Sequence, residues 1–411
     1  MSFPVTKPRN MTSLLQNSLH NLPALLVATL ALTPALHGQL LEVYGTHNGP
    51  RLTEVLELPL SEARTHVKDL DNKIAENAAT HEPLPTQIYE SPAGRARDLL
   101  LIAVQLPASG NLLIDFIDMD PNKPQDPQVY GREAPERKDD YAWENKYVTY
   151  RVYGPALEAT GEITSGIDVW SKRVPNFVID SFYRHDAIGQ RTHDPALSYH
   201  KDDGVGLDSY LVGPTRGCGG TAVLSNGKLW VSKNYTHLKP ISNGPVRFEF
   251  ELTYAPWNAN GVEVTETKRI TLDAGTHLNK ITSTFTFPGP STIDAIAGIA
   301  IHRNQGEAQF ATLANGHILS VWDTPQDPSA GRIATGMVEA PNQQAHATEL
   351  DNQGLLVFPV HSGQSFTYYA GSGWSKADMP TPQAWNAYLE ETLFELNHPL
   401  QTHWKSDKRR K

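Results

Sequence analysis

The sequence predicts an all-β protein, with a large antiparallel β-sandwich behind a small N-terminal β-sandwich and one helix near the C-terminus. Apolar and polar residues alternate over long stretches in the second half of the chain, for example in residues 246–254 and 281–287. A period of two places every second side chain on one face, which is typical of strands that are buried on one side. These stretches follow one another with short turns and no helical pattern between them, as expected for antiparallel sheets.

Composition sets the broad class of the protein. The chain has 411 residues, 39% of them hydrophobic, which is enough for a large core in two domains or in one large β domain. A net charge of −10 argues against nucleic acid as a partner, and an acidic ligand would need locally placed Lys and Arg. The single cysteine rules out an intramolecular disulfide. The sequence leaves the oligomeric state open.

Residues 1–38 have the pattern of a secretory signal peptide. Lys7 and Arg9 precede an apolar run at residues 22–36, which ends near small residues. The run is too short, and too interrupted by proline, for a stable membrane span. We therefore expect a periplasmic or secreted protein with no membrane partner after cleavage. A buried N-terminal helix is the alternative.

Residues 39–127 are predicted to form the small N-terminal sandwich. Four short apolar runs have the composition of strands: residues 40–44, 53–60, 99–106 and 112–117. A turn of Pro-Ala-Ser-Gly joins the last two runs, which indicates a hairpin. The polar stretch at residues 61–85 fits a short helix and a surface excursion equally well. Three prolines within residues 121–127 mark a linker to the next domain.

Residues 128–400 are assigned to the large sandwich. Further strands are expected at residues 147–153, 165–170, 262–272, 296–302, 317–322, 355–360 and 366–370. One helix is predicted near the C-terminus, because Thr381 suits an N-cap and Pro382 suits the first helical position. The apolar stripe of that helix consists of Trp385, Leu389, Leu393 and Leu396. The basic segment 401–411 is predicted to be a frayed tail.

Residues 199–220, YHKDDGVGLDSYLVGPTRGCGG, combine many proton-transfer groups with six glycines. Glycine lets a backbone bend sharply and approach a ligand closely, and catalytic residues concentrate on loops that a rigid scaffold holds. The candidate catalytic residues are His200, Asp202, Asp203, Asp208, Tyr210 and Arg216. The alternative is a solvated loop in which Asp and Gly serve only turn geometry.

Two further clusters are candidate substrate-binding sites. Their residues are Arg137, Lys138, Asp140, Trp143 and Asn145 in the first, and Trp374 and Lys376 in the second. In the first cluster, cations beside an exposed tryptophan suit the carboxylate and the ring face of an acidic sugar. In the second, a tryptophan in a glycine-rich turn suits a sugar-stacking platform. The respective alternatives are a charge run that caps a strand and a tryptophan folded onto a sheet edge.

No cofactor is expected from the sequence. Asp202, Asp203 and Asp208 offer oxygen ligands to a divalent metal, but their spacing does not match a calcium-binding EF-hand loop. The histidines have no zinc-ligand spacing, and no dinucleotide-binding GxGxxG motif follows a predicted strand. Cys218 is predicted to be a small buried residue.

Four motifs, in the order ERKDDYAWEN, YGPALEATGEITSGIDVW, YHKDDGVGLDSYLVG and RGCGG, resemble an exported bacterial and fungal family catalogued as domain of unknown function 4861. The similarity runs over most of the chain beyond the signal peptide. The resemblance implies a large β-sandwich like that of galactose mutarotase and several polysaccharide lyases. It also implies a setting among proteins that dismantle pectin and other uronate-rich polysaccharides. Val205 is a departure, because family members prefer Glu there, and it removes one carboxylate from the site.

These observations predict a carbohydrate-active enzyme of pectin-type polysaccharide breakdown that acts on an acidic oligosaccharide, with lyase-type β-elimination ahead of hydrolysis. Elimination needs a cation to neutralise the carboxylate, from Arg216 or Lys138, and a base to take the adjacent proton, from His200 or Tyr210. Hydrolysis would need a pair of carboxyl groups, which the loop aspartates offer. The sequence is also compatible with an aldose 1-epimerase and with a non-catalytic carbohydrate-binding protein.

Overall fold

Strands account for 47% of the residues that the structure describes. The computed structural model describes residues 39–46, 49–92 and 98–406, so the predicted signal peptide lies outside the described residues. Neighbouring strands in the described sheets pair in antiparallel fashion, which confirms the predicted all-β sandwich. Within the same ranges, none of the helices combines the length and the apolar character needed to cross a membrane.

Two small sheets form the N-terminal sandwich. Their strands are β1 (Gln39–Tyr44), β2 (Glu54–Pro59), β3 (Lys73–Asn77), β4 (Pro83–Leu84), β5 (Thr86–Tyr89), β6 (Leu99–Val104) and β7 (Asn111–Asp118). One sheet has the order β1-β7-β3-β4 and the other β2-β6-β5. Alternate residues of each strand face inward, and Leu41, Ile102 and Ile114 are among those that fill the shared core. Helix α1 (Leu60–His66) and strands β3 and β4 lie in the polar stretch at residues 61–85.

A five-stranded sheet follows, here called the middle sheet. Its strands are β8 (Val129–Ala134), β9 (Asp140–Asn145), β10 (Val148–Val152), β11 (Asp168–Lys172) and β12 (Gly206–Leu207). Their order is β12-β11-β10-β9-β8. Helices α2 (Pro155–Glu158) and α3 (Ile179–Thr192) lie in its connections. The sequence pattern did not predict α3, which packs on the middle sheet through Phe182 and Tyr183 against Trp170.

Two larger sheets complete the fold. Their strands are β13 (Cys218–Ser225), β14 (Lys228–Trp230), β15 (Tyr235–Asn243), β16 (Arg247–Tyr254), β17 (Trp257–Ala259), β18 (Val262–Asp273), β19 (Leu278–Thr286), β20 (Ile293–Ala300), β21 (Gln309–Leu313), β22 (Ile318–Asp323), β23 (Ile333–Glu339), β24 (His346–Leu350), β25 (Gln353–Val360) and β26 (Ser365–Trp374). One sheet has the order β14-β13-β20-β25-β24. The other, here called the large sheet, has the order β15-β16-β18-β19-β26-β23-β22-β21, with β17 paired to β18. The predicted alternation in β16 is confirmed, since Phe250 and Leu252 are buried in the common core while Glu251 and Thr253 are only half-buried.

Helix α4 (Pro382–Asn397) confirms the predicted C-terminal helix. Thr381 caps it, because its hydroxyl oxygen accepts a hydrogen bond from the Ala384 amide at 3.1 Å. Trp385 and Leu389 are fully buried and pack on β22 and β23 of the large sheet. The helix therefore covers part of the sheet face that lies away from the sandwich core.

The segment after α4 returns to the N-terminal sandwich. Residues Gln401–Ser406 form strand β27, which pairs with β1. The predicted frayed tail is therefore wrong for these residues, because Trp404 stacks on His66 and lies against Phe116 of the N-terminal core. Residues 407–411 lie outside the described ranges.

Candidate active site

The middle sheet is buried on both faces, and the two faces differ in chemistry. On one face, Tyr141 and Trp143 pack against Phe250 of the large sheet. The opposite face carries the buried charged residues Asp140, Glu144, Arg151, Asp168 and Lys172. Because successive side chains of a strand point to opposite faces, residues that fill the core alternate here with residues that carry charge. Helix α3 covers the charged face.

Three buried carboxyl groups surround one guanidinium, and we call these four residues the Arg151 cluster. Arg151 Nη2 lies 2.6 Å from Asp168 Oδ2 and 2.9 Å from Asp208 Oδ2. Arg151 Nη1 lies 3.5 Å from Asp140 Oδ2. Since removing charges from water is costly, such groups persist in a protein interior only when they are paired.

Acidic groups outnumber cations in this cluster. Arg137 also binds Asp140, with Nη1 2.9 Å from Oδ2, so two guanidiniums face three carboxyl groups. Burial, and after it the charge of Asp168, raises the pKa of Asp208 to about 8, although Arg151 opposes the change. Burial also raises the pKa of Asp140. Asp208 therefore keeps its proton near neutral pH, a state typical of carboxyl groups that transfer protons.

Aromatic side chains hold the Arg151 cluster in place. The Arg151 guanidinium donates hydrogen bonds of 3.3 Å to the hydroxyls of Tyr153 and Tyr199. Trp170 Nε1 donates to Asp168 at 3.3 Å, and the Trp170 ring lies 5.1 Å from the guanidinium carbon. A cation against aromatic faces is stabilised by their negative charge density, so this packing fixes the position of Arg151.

His200 lies at the solvent edge of the cluster. Its Nδ1 is 2.9 Å from the carbonyl oxygen of Asp208 and 3.7 Å from Asp208 Oδ2. A carbonyl oxygen can only accept, so the neutral imidazole carries its hydrogen on Nδ1 and keeps a lone pair on Nε2. Among the described residues, Nε2 has no hydrogen-bond partner. The side chain is 53% exposed, which leaves this lone pair available to a ligand.

A groove of 670 Å³ opens between α3 and the chain that follows it. Its walls include Arg137, Asp186, Gln190, His193, Tyr199 and His200. Arg137, Tyr199 and His200 also contact the Arg151 cluster. These three side chains therefore connect the groove to the buried Arg151 cluster.

Glu144 fixes the start of α3 over this site. The buried carboxylate accepts hydrogen bonds from the amides of Val178 and Ile179, at 2.8 and 2.9 Å, and lies 2.8 Å from Lys172 Nζ. The first amides of a helix have no partner within the helix, and α3 has no side-chain cap at its own N-cap residue. Glu144, a residue of strand β9, thus caps α3. This contact attaches α3, which forms one wall of the groove, to the middle sheet.

Arg216 and Tyr210, two predicted catalytic residues, lie away from the groove. Arg216 is 1% exposed and donates to Ser165 Oγ at 2.7 Å and to the Pro214 carbonyl at 3.1 Å. Burial lowers its pKa to about 10. The Tyr210 hydroxyl is buried, and its ring lies edge-on to His302. The structure therefore brings His200 and Asp208 together but leaves these two side chains in the core.

Asp202 and Asp203 face away from the Arg151 cluster. Asp202 pairs with Arg173 and, at 3.5 Å, with Lys376, so the structure joins the segment 199–220 to the second predicted binding cluster. Asp203 accepts from the Val205 amide at 3.1 Å, as in an ordinary turn.

Neither tryptophan of the predicted binding clusters is exposed, so the expectation of sugar-stacking surfaces is wrong for both. Trp143 is 0% exposed and donates to Asn279 Oδ1 at 2.7 Å. Trp374 is 2% exposed, donates to the Ala330 carbonyl at 2.7 Å, and is covered by the Arg173 guanidinium at 4.5 Å. Apolar area of this size is stabilising in the core, which explains the burial.

The other residues of the first predicted binding cluster have different roles in the structure. Asn145 is buried and donates to the carbonyls of Asp273 and Thr276 at 3.0 and 2.6 Å, so it holds a turn of the large sheet. Lys138 is exposed, next to Arg137 at the groove. Asp140 belongs to the Arg151 cluster, through its ion pairs with Arg137 and Arg151.

The site also contains residues that sequence reasoning missed, above all Arg151, Asp168 and Tyr199. Arg151 stands at a strand position that alternates with the apolar Tyr150 and Val152, and this was the signal that it points away from the core. In the part of the chain that the structure describes, no three His, Cys, Asp or Glu side chains are arranged to hold a metal ion. Cys218 is buried, as predicted.

The chain is similar to a curated protein of Formosa agariphila named "Uncharacterized protein P7", with 31% identity over 380 residues that cover 88% of this chain and 92% of that protein. Two solved structures align with 90% and 91% of this chain, both at a TM-score of 0.44 and with 10% and 8% identity. They are an alpha-mannosidase from Enterococcus faecalis V583 and a protein in the glycosyl hydrolase family 38 from Enterococcus faecalis, and the chain spans 46% and 48% of their lengths. The family model described as Domain of unknown function (DUF4861) matches residues 45–402, and the chain belongs to this family.

Proposed function

We propose that the protein is a carbohydrate-active enzyme that cleaves uronate-containing oligosaccharides by β-elimination, with His200 as the general base. The observation that carries the proposal is the orientation of His200. The Asp208 carbonyl holds Nδ1 as a donor at 2.9 Å, so Nε2 keeps its lone pair on an exposed side chain, and this side chain lines the groove together with the Arg137 guanidinium. A base beside a cation is the minimum that elimination next to a carboxylate requires.

In this mechanism Arg137 neutralises the substrate carboxylate. Its side chain is 27% exposed, and its Nη2 binds Glu162 at 3.1 Å. Glu162 is 57% exposed, so a substrate carboxylate can replace it on the same nitrogen. Nη1 stays bound to Asp140, so the substrate carboxylate accepts a charge-assisted hydrogen bond from Nη2, and this contact increases the acidity of the carbon beside the carboxylate.

His200 then moves the proton. Nε2 takes the proton from the carbon beside the carboxylate, the electron pair forms a carbon–carbon double bond, and the glycosidic carbon–oxygen bond on the next carbon breaks. The imidazolium returns the proton to the leaving oxygen, which restores the base. The Asp208 carbonyl and carboxyl group lie behind Nδ1 and stabilise the positive charge that the ring carries between these steps.

Hydrolysis is less favoured by the geometry. A hydrolase needs two carboxyl groups on either side of the scissile bond. Asp140, Asp168 and Asp208 instead gather on one guanidinium beneath the groove. The carboxylates in the groove wall, Asp186 and Asp194, accept hydrogen bonds from Gln190 and from the Ala196 amide. We also propose that the protein is exported, as residues 1–38 led us to expect, because polymeric pectin is an extracellular substrate.

The test follows the products of pectin and rhamnogalacturonan fragments by the ultraviolet absorbance of the conjugated uronate and by reducing-end release. Elimination produces both signals, whereas hydrolysis produces only reducing ends. We expect His200→Ala to slow turnover by about 100- to 10,000-fold, the usual contribution of a positioned acid–base group.

His346→Ala is the matched control, since His346 is exposed on β24, outside the groove, and its loss leaves turnover unchanged. Full activity of His200→Ala would contradict the role of this base. Reducing ends without a conjugated product would contradict elimination, and binding without any product would favour a carbohydrate-binding protein.

A further inference from the structure

A second polar cleft lies on the outer face of the large sheet, between the N-terminal sandwich and α4. It comprises two adjoining cavities of 500 and 230 Å³, which share Glu57, Arg247, Thr271 and Lys280 in their walls. Tyr89 and Leu99 of the N-terminal sandwich border the first cavity, and Tyr388 and Glu395 of α4 border the second. None of these residues lines the His200 groove.

The floor of this cleft is part of a regular array of polar side chains across four strands. Strand register aligns them in three rows, which are Glu249, Thr271, Lys280 and Tyr369, then Glu251, Arg269, Thr282 and Thr367, then Thr253, Thr267, Thr284 and Ser365. The inward neighbours Phe250, Ile270 and Ile281 belong to the core. Strand alternation therefore presents an array of hydroxyl, carboxylate and cationic groups to one surface.

Two donors in this array lack acceptors. Within the described residues, Lys280 Nζ has no ion-pair or hydrogen-bond partner, and the residue is exposed. Arg269 Nη2 is buried and has no hydrogen-bond acceptor; it lies 4.0 Å from a Glu251 oxygen, while Nη1 of the same guanidinium lies 3.3 Å from Glu249 Oε1. A buried donor without an acceptor is costly, so a ligand that supplies acceptor oxygens here is favoured.

The charge of the cleft selects the ligand. Six acidic residues line the cleft against three cations: the acidic residues are Glu54, Glu57, Glu249, Glu251, Asp273 and Glu395, and the cations are Arg247, Arg269 and Lys280. Arg247 is already paired with Glu57 and Asp273 at 2.6 Å. Arg51, which is not part of the lining, pairs with Glu54 and Glu395 from behind, so carboxyl groups remain in excess. An excess of carboxylates repels an anionic chain. Carboxylates accept hydrogen bonds from hydroxyl groups, threonine and serine both donate and accept, and Lys and Arg donate to ring and hydroxyl oxygens.

We propose that this cleft is a second carbohydrate-binding site, which takes a neutral, hydroxyl-rich oligosaccharide and is independent of the His200 groove. The cleft binds a neutral oligosaccharide chain, whereas the His200 groove is proposed to bind an acidic one. The protein would therefore bind a polysaccharide at two sites that differ in ligand charge. The proposal does not depend on the reaction at His200.

Affinity electrophoresis of the full chain in gels that contain one polysaccharide each tests the proposal. The panel consists of galactan, arabinan, xylan and β-glucan as neutral probes, with polygalacturonate as the acidic probe. We expect at least one neutral glycan to retard the protein, and Lys280→Ala to weaken that interaction by about ten- to a hundredfold, the effect of losing a charged hydrogen bond.

Thr282→Tyr is a second variant, because a β-compatible aromatic side chain fills the cleft without altering the core. Lys123→Ala, at an exposed lysine of the linker, is the matched control and keeps the native affinity. His200→Ala also keeps it, which separates this proposal from the proposed reaction. Retardation by none of the neutral glycans, retardation by polygalacturonate alone, or native affinity in both cleft variants would overturn the proposal.

Discussion

At the scale of single residues, the Arg151 cluster shows how one carboxyl group remains protonated among charges. Asp208 and Asp168 share the same guanidinium nitrogen. Ionising both in a buried site would leave two negative charges on one cation, so the second ionisation is opposed by burial and by repulsion. The consequence is a pKa for Asp208 of about 8 in the folded protein, against roughly 3.9 in an unfolded chain.

This difference predicts how Asp208→Asn changes the pH dependence of stability. Between pH values of about 4 and about 8 the folded protein binds one more proton at this site than the unfolded chain, so the free energy of unfolding falls as the pH rises. Asparagine imitates the protonated carboxyl group and removes this term. Urea unfolding across that window is expected to favour the variant increasingly over the native protein, by at most about 1.4 kcal/mol per pH unit.

Asp120→Asn, in an exposed turn, controls for the loss of one carboxylate. If Asp208→Asn and the native protein kept a constant difference in unfolding free energy over the whole window, Asp208 would be ionised in the folded state.

Sequence reasoning found His200 and Asp208 because acid–base groups are dense in that loop. It did not find Arg151, although the alternation of β10 showed which way its side chain points. The partners of Arg151 come from three other stretches of the chain, and only the antiparallel pairing of β9, β10, β11 and β12 brings them together, with Asp208 directly after β12. Arg216 was predicted for its chemistry, but the fold uses its guanidinium donors to satisfy buried carbonyls and hydroxyls.

At the scale of elements, α3 and α4 differ in how their first turns are satisfied. Thr381 caps α4 from the adjacent position in the chain, and this local signal made α4 predictable. The cap of α3 is Glu144, a strand residue distant in sequence. Helix α3 is therefore a product of tertiary structure, and its sequence offers no start signal that could have identified it.

Replacing Glu144 with alanine is expected to destabilise the protein by about 3 to 5 kcal/mol, because it leaves Lys172 as an uncompensated buried charge beside unpaired amides. Urea unfolding measures the loss, and hydrogen exchange at Val178 and Ile179 locates it at the start of α3. Glu144→Gln retains one acceptor and costs less. Equal protection of these amides in the alanine variant and the native protein would show that the helix does not need this cap.

At the scale of the whole molecule, β27 makes the N-terminal sandwich depend on the end of the described chain. It pairs with all six residues of β1, and Trp404 adds aromatic contacts to the sandwich core. The all-β class followed from alternation, which is local, but this pairing joins strands that are separated by most of the sequence. Composition favoured a tail at residues 401–411, and only the unpaired edge of β1 explains why a polar segment forms a strand there.

A chain that ends after residue 400 is expected to unfold at a lower temperature and to be cleaved faster by proteases within residues 39–118. The physical reason is that β1 becomes an edge strand and part of the N-terminal core becomes accessible to water. A chain that ends after residue 406 is the matched control. Identical melting temperatures and identical proteolysis of the two truncated chains would show that β27 contributes nothing to the sandwich.

The pairing of β1 with β27 also fixes an order of assembly during translation. A ribosome releases β1 among the first described residues and β27 among the last, so one side of β1 stays unpaired until nearly all of the described residues have been made. Throughout synthesis the backbone amides and carbonyls on that side are open to strands of neighbouring nascent chains, which is the usual origin of co-translational aggregation. Among the described residues, the sandwich that is made first is thus among the last parts to be completed.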